Sequence, residues 1–389
     1  MQPDATFDDA RFQQLIDRRR TESIKWNAYD KDVLPMWVAD MDFLCPPQVI
    51  EAIQQRVNHG IFGYPTEPPR LRSIIVDRLK RRYDWAIDPE WITYIPNVFS
   101  GFHLAAHAVT RPGDGVLLTT PLYFPMLLVP DNVELKGQIA ELVRADDGTY
   151  SVPMARFEGA ITGRTELFIL CNPHNPIGKV YTRNELEELA EVCLKHGLII
   201  CSDEIHADFL YDGRKHVPIA SLSREIADRT ITLMSPVKSF NIAGIPFAFA
   251  VIPNPGLREQ YQNAGKGLII HPSALGYVAA QTAFEHCDGW SADLVKVLEA
   301  NRDFADDFIR SNIPGVRMTP MQGTYLAWLD FREAGIEGSP YDFLLNKARV
   351  ATVDGAKFGP GGEGFVRLNM ACPQSRLHDG LRRICDALT

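Results

Sequence analysis

No apolar run in this 389-residue chain approaches the length of a membrane span, because prolines interrupt the best candidates, around Pro121–Pro130 and Pro246–Pro253. A basic excess is missing too. With 40 Lys and Arg against 49 Asp and Glu, the formal net charge is −9 and the acids are dispersed, which argues against nucleic acid or an anionic membrane as a partner. Cysteine is sparse: seven residues, an odd number without a C-x-x-C pair, read as reduced thiols in a cytoplasmic protein. The amino-terminal MQPDATFDDARF is acidic and lacks an apolar targeting core. Internal repeats, low-complexity tracts and long Gly/Ser linkers are absent. The length allows a large core and suggests two domains.

What is present is a set of polar residues at strand ends. Lys238 follows the apolar run Ile231–Met234, Asp203 closes the run beginning at Leu198, and Asn175 follows Leu167–Leu170 within the turn CNPHNPIG (171–178). Thr182 and Glu185 form a capping-box pattern opening a helix that ends at Gly197. Strand, helix and strand make a right-handed βαβ unit, whose parallel strands bring their carboxyl ends to one sheet edge, where ligands bind. A lysine amine can hold an aldehyde cofactor as a Schiff base, an acid can keep a pyridine nitrogen protonated, and an amide can hydrogen-bond a phenolic oxygen. Taken singly, each of the three also suits a loop, a turn or a helix cap.

Six segments together are more specific: LPMWVADMDF (34–43), CNPHNPIG (171–178), SDEIHADF (202–209), SPVKSFNIAG (235–244), GTYLAWLDFR (323–332) and GFVRLNMACP (364–373). In that order they resemble fold-type I pyridoxal phosphate (PLP) enzymes of the MalY/PatB cystathionine β-lyase group, from about Trp26 to the carboxyl terminus. The resemblance implies an α/β fold: a large domain with a mostly parallel seven-stranded sheet over residues 47–287, and a smaller, discontinuous α/β domain from residues 1–46 and 288–389. It makes Lys238 the Schiff-base lysine, Asp203 the pyridine partner, Asn175 the donor to the phenolic oxygen and Tyr123 the aromatic stacked on the cofactor ring. Val98 and Phe99, just before an apolar helix reaching about Val109, match positions whose backbone N–H groups hold the phosphate, a role that suits a helix N-terminus. Ser235, and Tyr64 reaching over from a second subunit of a homodimer, match further phosphate contacts. Arg367, in the alternating stretch Phe365–Asn369, matches the arginine gripping the substrate α-carboxylate, for which a planar two-point fork is suited. Read without the resemblance, it suits a surface strand equally well.

One departure separates subgroups. Many class I aminotransferases carry a phosphate-binding arginine eight residues after the lysine; Pro246 stands there, as expected of the MalY-like group. A second lies in KGLIIHPSALG (266–276), where Ile269, Ile270 and His271 fall in a segment expected near the substrate side chain. GPGGEG (359–364) satisfies G-x-G-x-x-G but precedes a strand and leaves 25 residues, too few for a dinucleotide unit, and reads as a flexible loop. His103 and His107 have metal-ligand spacing on a helix, yet HLAAH lacks the glutamate of H-E-x-x-H and no metal is expected. His206 reads as a structural neighbour of Asp203. The expected activity is carbon–sulfur β-elimination from L-cystathionine or a related cysteine S-conjugate, giving thiol, pyruvate and ammonia. The alternative is transamination of an L-amino acid by the same residues. An idle, ligand-sensing module would have no chemical need for Lys238.

Overall fold

The computed structural model of the protein describes residues 9–269 and 271–389. Runs such as Gly115–Thr120, Thr165–Cys171 and Thr230–Met234 are apolar without alternation, and nearly every residue in them is buried, as in a sheet covered on both faces. Numbered along the chain, β1 (Ile92–Ile95), β2 (Gly115–Thr120), β3 (Lys136–Glu141), β4 (Thr165–Cys171), β5 (Ile199–Asp203), β6 (Thr230–Met234) and β7 (Ala248–Val251) form a seven-stranded sheet in the order β1-β7-β6-β5-β4-β2-β3. β7 is antiparallel to both neighbours, and the β2–β3, β2–β4, β4–β5 and β5–β6 pairs are parallel. The expected mostly parallel sheet is therefore present.

The chain reverses its winding direction between β2 and β4, since β3 lies on one side of β2 and all later strands on the other. Pairing of β2 with β4 stops at Leu117↔Phe168, whereas β2 stays on β3 as far as Thr120↔Glu141 and β4 on β5 as far as Cys171↔Asp203. A crevice opens there at the carboxyl edge, the place where ligands bind in such sheets.

Helices cover the two faces. α1 (Val98–Val109) crosses one face, lying close because a Cβ on Gly101 would meet Ile95 Cδ1 at 2.7 Å. α2 (Arg183–His196) covers the other with Leu186, Leu189, Ala190 and Cys193, spaced to fall on one side, against Phe168, Leu170 and Ile200. The expected boundaries of α2 hold: Thr182 and Glu185 make a complete capping box, and Gly197 ends the helix at φ +73°.

A second sheet of four antiparallel strands places Arg317–Met318, Leu326–Asp330, Phe365–Asn369 and Val353–Asp354 side by side. It packs with the long helix Asp288–Asn312 and the terminal helix Gln374–Leu388. The amino-terminal Leu34–Pro35 pairs in parallel with Val350–Ala351, which lays residues 34–43 against the carboxyl-terminal part before they reach the lysine loop. Two expectations need correcting. Val98 and Phe99 do not precede the helix; they are its first two residues, capped by Asn97, whose side chain accepts from Ser100 N–H at 2.7 Å. The loop 359–364 is not loose, for the Gly362 and Gly355 backbones approach so closely that a Cβ on Gly362 would stand 2.1 Å from Gly355 O.

Candidate active site

Strands β6, β5, β4 and β2 are neighbours, so their carboxyl ends present Lys238, Asp203, Asn175 and Tyr123 in that spatial order along one edge. Each position has a local cause. Ser235 caps the short helix Pro236–Ser239 by accepting from Val237 N–H at 3.2 Å, so Lys238 is displayed one turn beyond β6. Asp203 is the last residue of β5, and its Oδ1 accepts from Ile205 N–H at 3.0 Å. The turn carrying Asn175 is closed by Gly178 N–H donating to His174 O at 2.8 Å.

The electrostatics follow from burial. Removal from water lowers the Lys238 amine from its ordinary 10.5 to about 8, with Arg367 pushing the same way while Asp40 and Asp203 oppose it. Burial raises Asp203 to about 7, with Glu204 adding to the rise and the Ile205 hydrogen bond and Lys238 countering it. A buried carboxyl and a half-buried amine, both poised near neutrality, are what proton transfer at neutral pH needs. Burial also raises Tyr123 and brings His206 down to about 3, so His206 is a neutral ring. The His206 ring packs edge-on to Tyr325 at 5.6 Å and against Phe209 at 6.0 Å, an aromatic setting that its place beside Asp203 in the sequence does not reveal.

Arg367 is buried rather than displayed on a surface strand. It donates to Asn175 Oδ1 at 3.0 Å and to Trp37 O at 3.2 Å, lies 5.1 Å from the centre of the Phe358 ring, and leaves Nε without a partner. Burial depresses it to about 10. A buried guanidinium held only by an amide, a carbonyl and a ring face is a charge awaiting an anion.

The amino-terminal segment 34–43 closes the site in a way that strand-end reasoning misses. Ala39 O accepts from Lys238 Nζ at 2.5 Å and from Tyr325 OH at 2.9 Å. Asn369 Nδ2 donates to Val38 O at 2.6 Å and Asp40 O at 2.7 Å, while Asn241 Nδ2 donates to Phe43 O at 2.7 Å. Asn241 sits in the left-handed region at φ +52°, which asparagine tolerates better than most residues. Trp37, Asp40, Asn241, Tyr325, Phe358 and Asn369 thus belong to the site without having been singled out. The asparagine three residues past Lys238 and the alternation of apolar and polar residues in Phe365–Asn369 were the available signals, although the strand is buried along its whole length.

The remaining candidates lie nearby or on the surface. The Val98 and Phe99 N–H groups open α1, where no intrahelical acceptor exists for them. Ser235 Oγ donates to Phe247 O at 2.5 Å. Tyr64 is fully exposed, far from any role within one chain. Ile269 and the exposed His271 line a groove with Glu67, Arg72, Tyr94 and Tyr277, and Lys238, Asp203 and Arg367 are not among its walls; Ile270 lies outside the described residues. His103 Nδ1 is within 2.9 Å of Phe99 O and its Nε2 within 2.9 Å of Asn132 Nδ2, and among the described residues no cluster of His, Cys, Asp and Glu is arranged to hold a metal.

With this geometry in place, comparison with known proteins is informative. A family model described as aminotransferase class I and II matches residues 31–384. Cystathionine β-lyase PatB of Bacillus subtilis (strain 168) is 37% identical over 391 residues, covering 97% of this chain and 100% of that protein. A cystathionine β-lyase of Corynebacterium glutamicum is 33% identical over 378 residues, covering 97% and 100%. The crystal structure of cystalysin from Treponema denticola, which contains a pyridoxal 5'-phosphate cofactor, superposes with a TM-score of 0.93 at 32% identity, covering 97% of this chain and 98% of that one.

Proposed function

The chain belongs to the class I and II aminotransferase family, and on that premise we propose that it is a PLP-dependent carbon–sulfur β-lyase that cleaves L-cystathionine or related cysteine S-conjugates to thiol, pyruvate and ammonia. The observation that carries this reading is the meeting of Lys238, Asp203, Asn175 and Tyr123 at four adjacent strand ends beside a buried Arg367 that pairs with no carboxylate side chain among the described residues. The names of the two relatives and the cofactor of cystalysin support it.

The residues fit PLP on chemical grounds. Lys238 would hold its aldehyde, Asp203 its pyridine nitrogen and Asn175 its phenolic oxygen, while Tyr123 would cover the ring. Asn175 suits this because Arg367 already occupies its carbonyl oxygen, which turns the amide N–H groups toward an acceptor. The opening N–H groups of Val98 and Phe99, Ser235, and Tyr64 of the partner subunit would hold the phosphate, as a helix N-terminus favours an anion. When bound, PLP supplies an electron sink for the pair left behind as the Cα proton departs.

The chain supplies the rest. Arg367 grips the substrate α-carboxylate by a two-point fork and sets the orientation of Cα. Lys238 Nζ, its proton affinity lowered by burial, takes the Cα proton and returns it where the leaving thiolate or the product needs it. Asp203 holds a proton on the pyridine nitrogen. Segment 34–43, laid over Lys238 and Arg367, keeps water from the reacting carbon.

In this reading the protein is a cytoplasmic homodimer; its seven free thiols accord with a reducing compartment, and the exposed Tyr64 with a site completed by a second subunit. Residues 47–287 form the cofactor domain, and 1–46 with 288–389 the smaller one. Among the described residues no helix is long and apolar enough to cross a membrane. The test is incubation of purified protein with cystathionine, other cysteine conjugates and amino donors. Pyruvate with thiol in equal amounts is expected, and Lys238→Ala should abolish it by roughly three orders of magnitude or more with the fold intact. Keto acid from the donor as the main product would reassign the enzyme as an aminotransferase.

A further inference from the structure

Tyr325 immediately precedes the strand Leu326–Asp330 of the second sheet and is wholly buried, yet its hydroxyl crosses to segment 34–43, where it donates to Ala39 O at 2.9 Å. Its place is fixed from several directions. Thr324 N–H donates to Phe209 O and Met370 N–H to Tyr325 O, each at 3.0 Å, and Tyr211 OH donates to Thr324 O. The ring stands edge-on to Phe209 at 5.0 Å and to His206 at 5.6 Å. Thr324 holds φ at +65°, in the left-handed region that a β-branched residue rarely adopts, so the backbone is strained at the residue that aims the ring. Burial raises the Tyr325 hydroxyl above its ordinary 10, with Asp40 adding to the rise and Arg367 opposing it, so it keeps its proton and remains a donor.

Ala39 O has two lone pairs and two donors, Tyr325 OH and, at 2.5 Å, Lys238 Nζ. The carbonyls on either side, Val38 O and Asp40 O, both accept from Asn369 Nδ2, so the peptide between them has little room to turn. A lysine stem has many rotamers, and an amine that gives up the aldehyde to substrate and then takes the Cα proton must be kept in one of them. Sharing has a second effect. A carbonyl engaged by a hydroxyl gives less to an ammonium, so the hydroxyl favours the neutral amine, the form that accepts a proton.

We propose that Tyr325 is a positioning residue for Lys238: its hydroxyl fixes the Ala39 carbonyl on which the free amine rests and takes one of that oxygen's lone pairs, so the amine has one acceptor in one place and is not held too tightly to act. This inference rests on the cofactor reading above. The other groups facing the amine are Asp203 from β5, Asp40 from the segment above it, Arg367 from the second sheet and the neutral His206 ring from the loop after β5, and the variants below leave all four in place.

The experiment compares wild type, Tyr325→Phe and Tyr261→Phe; the last removes another buried hydroxyl, one that donates to Gly101 O at 3.1 Å. Competitive labelling of the cofactor-free enzyme with acetic anhydride against pH, read on the Lys238 peptide by mass spectrometry, gives the midpoint of the amine. Steady-state kinetics on a cysteine S-conjugate give kcat and KM of the holoenzyme. Tyr325→Phe keeps the ring and frees the carbonyl for the ammonium, so the Lys238 midpoint should rise by roughly 0.5–1 pH unit while kcat falls about tenfold and KM stays within about twofold. Tyr261→Phe should move none of these. An unmoved midpoint or an unchanged kcat in Tyr325→Phe overturns the proposal, as does an equal shift in Tyr261→Phe. Should Tyr325→Phe not fold, 3-fluorotyrosine at position 325 decides: its hydroxyl is the stronger donor, so the midpoint should fall by a few tenths of a unit, and a rise or no change overturns the proposal. A wild type that takes up no PLP sinks the cofactor reading and this inference with it; a PLP-bound, active wild type with an unresponsive Tyr325→Phe sinks this inference alone.

Discussion

At the scale of single residues, the site works by placing charges where water cannot relieve them. Arg367 is the plainest case, since its fork meets only an amide, a carbonyl and a ring. Arg367→Lys keeps the charge and loses the two-point grip, so KM should rise and kcat fall together, lowering kcat/KM by roughly 1.5–3 kcal/mol of transition-state stabilisation, with cofactor affinity nearly unchanged. Steady-state kinetics on several amino acids check this, and an intact kcat/KM for all of them would give the carboxylate to another residue. Asp203 makes a prediction about stability. Its folded pKa, about 7, lies above the ordinary 3.8, so the neutral form suits the fold; that contribution is complete below about pH 4 and is lost as pH rises through 7. Cofactor-free Asp203→Asn should escape the loss and exceed wild type in stability at about pH 8 by roughly 2–4 kcal/mol, the difference vanishing near pH 4. Denaturant titration at the two pH values measures it.

At the scale of elements, two substitutions separate scaffold from site. Thr182 and Glu185 form a reciprocal cap on α2 through hydrogen bonds to each other. Thr182→Ala should cost about 1 kcal/mol of stability and leave kcat/KM within a factor of two. Gly362 lies in the loop that holds Phe358 against Arg367 and Trp328. Gly362→Ala would drive a Cβ to 2.1 Å from Gly355 O, so the loop must shift and carry the Phe358 ring with it. We expect a loss of roughly 1–3 kcal/mol in stability together with a fall in kcat/KM, seen in melting curves and kinetics on the same preparation. An active, fully stable Gly362→Ala would mean that the loop has room elsewhere.

At the scale of the whole molecule, one chain contains most of a site but leaves Tyr64 in solvent and the loop with Ile269 and His271 on a groove away from Lys238. If a second copy completes the site, Tyr64→Phe should weaken PLP binding by about tenfold while leaving the fold and the dimer intact, since a charge-assisted hydrogen bond to phosphate is worth about 1.5 kcal/mol or more. Cofactor titration with sedimentation at assay concentration reads both quantities, and a fully active monomer would refute the shared site. The same construction accounts for the segment 34–43, which spans the lysine loop at Asn241 and the second sheet at Asn369, tying the two parts of the molecule across the cleft.

The sequence by itself determined the elements whose signals are local: the apolar runs of β4, β5 and β6, the capping box and terminal glycine of α2, and the polar residues that follow each strand. Because parallel strands align their carboxyl ends, the order of Lys238, Asp203 and Asn175 along the chain already implied one shared edge. Tertiary structure alone decided what depends on distant chain meeting distant chain. Arg367 looks the same in sequence whether its strand is an edge or an interior one; only pairing with Leu326–Asp330 and the cover of Trp37 and Phe358 bury it. The closing of the site by residues 34–43 needs carbonyls to meet Asn241 and Asn369, some 200 and 330 residues away, which no local periodicity encodes. The same holds for proton affinities. Asp203 and Lys238 are ordinary acid and amine in the chain, and it is desolvation by the folded surroundings that brings one up to about 7 and the other down to about 8.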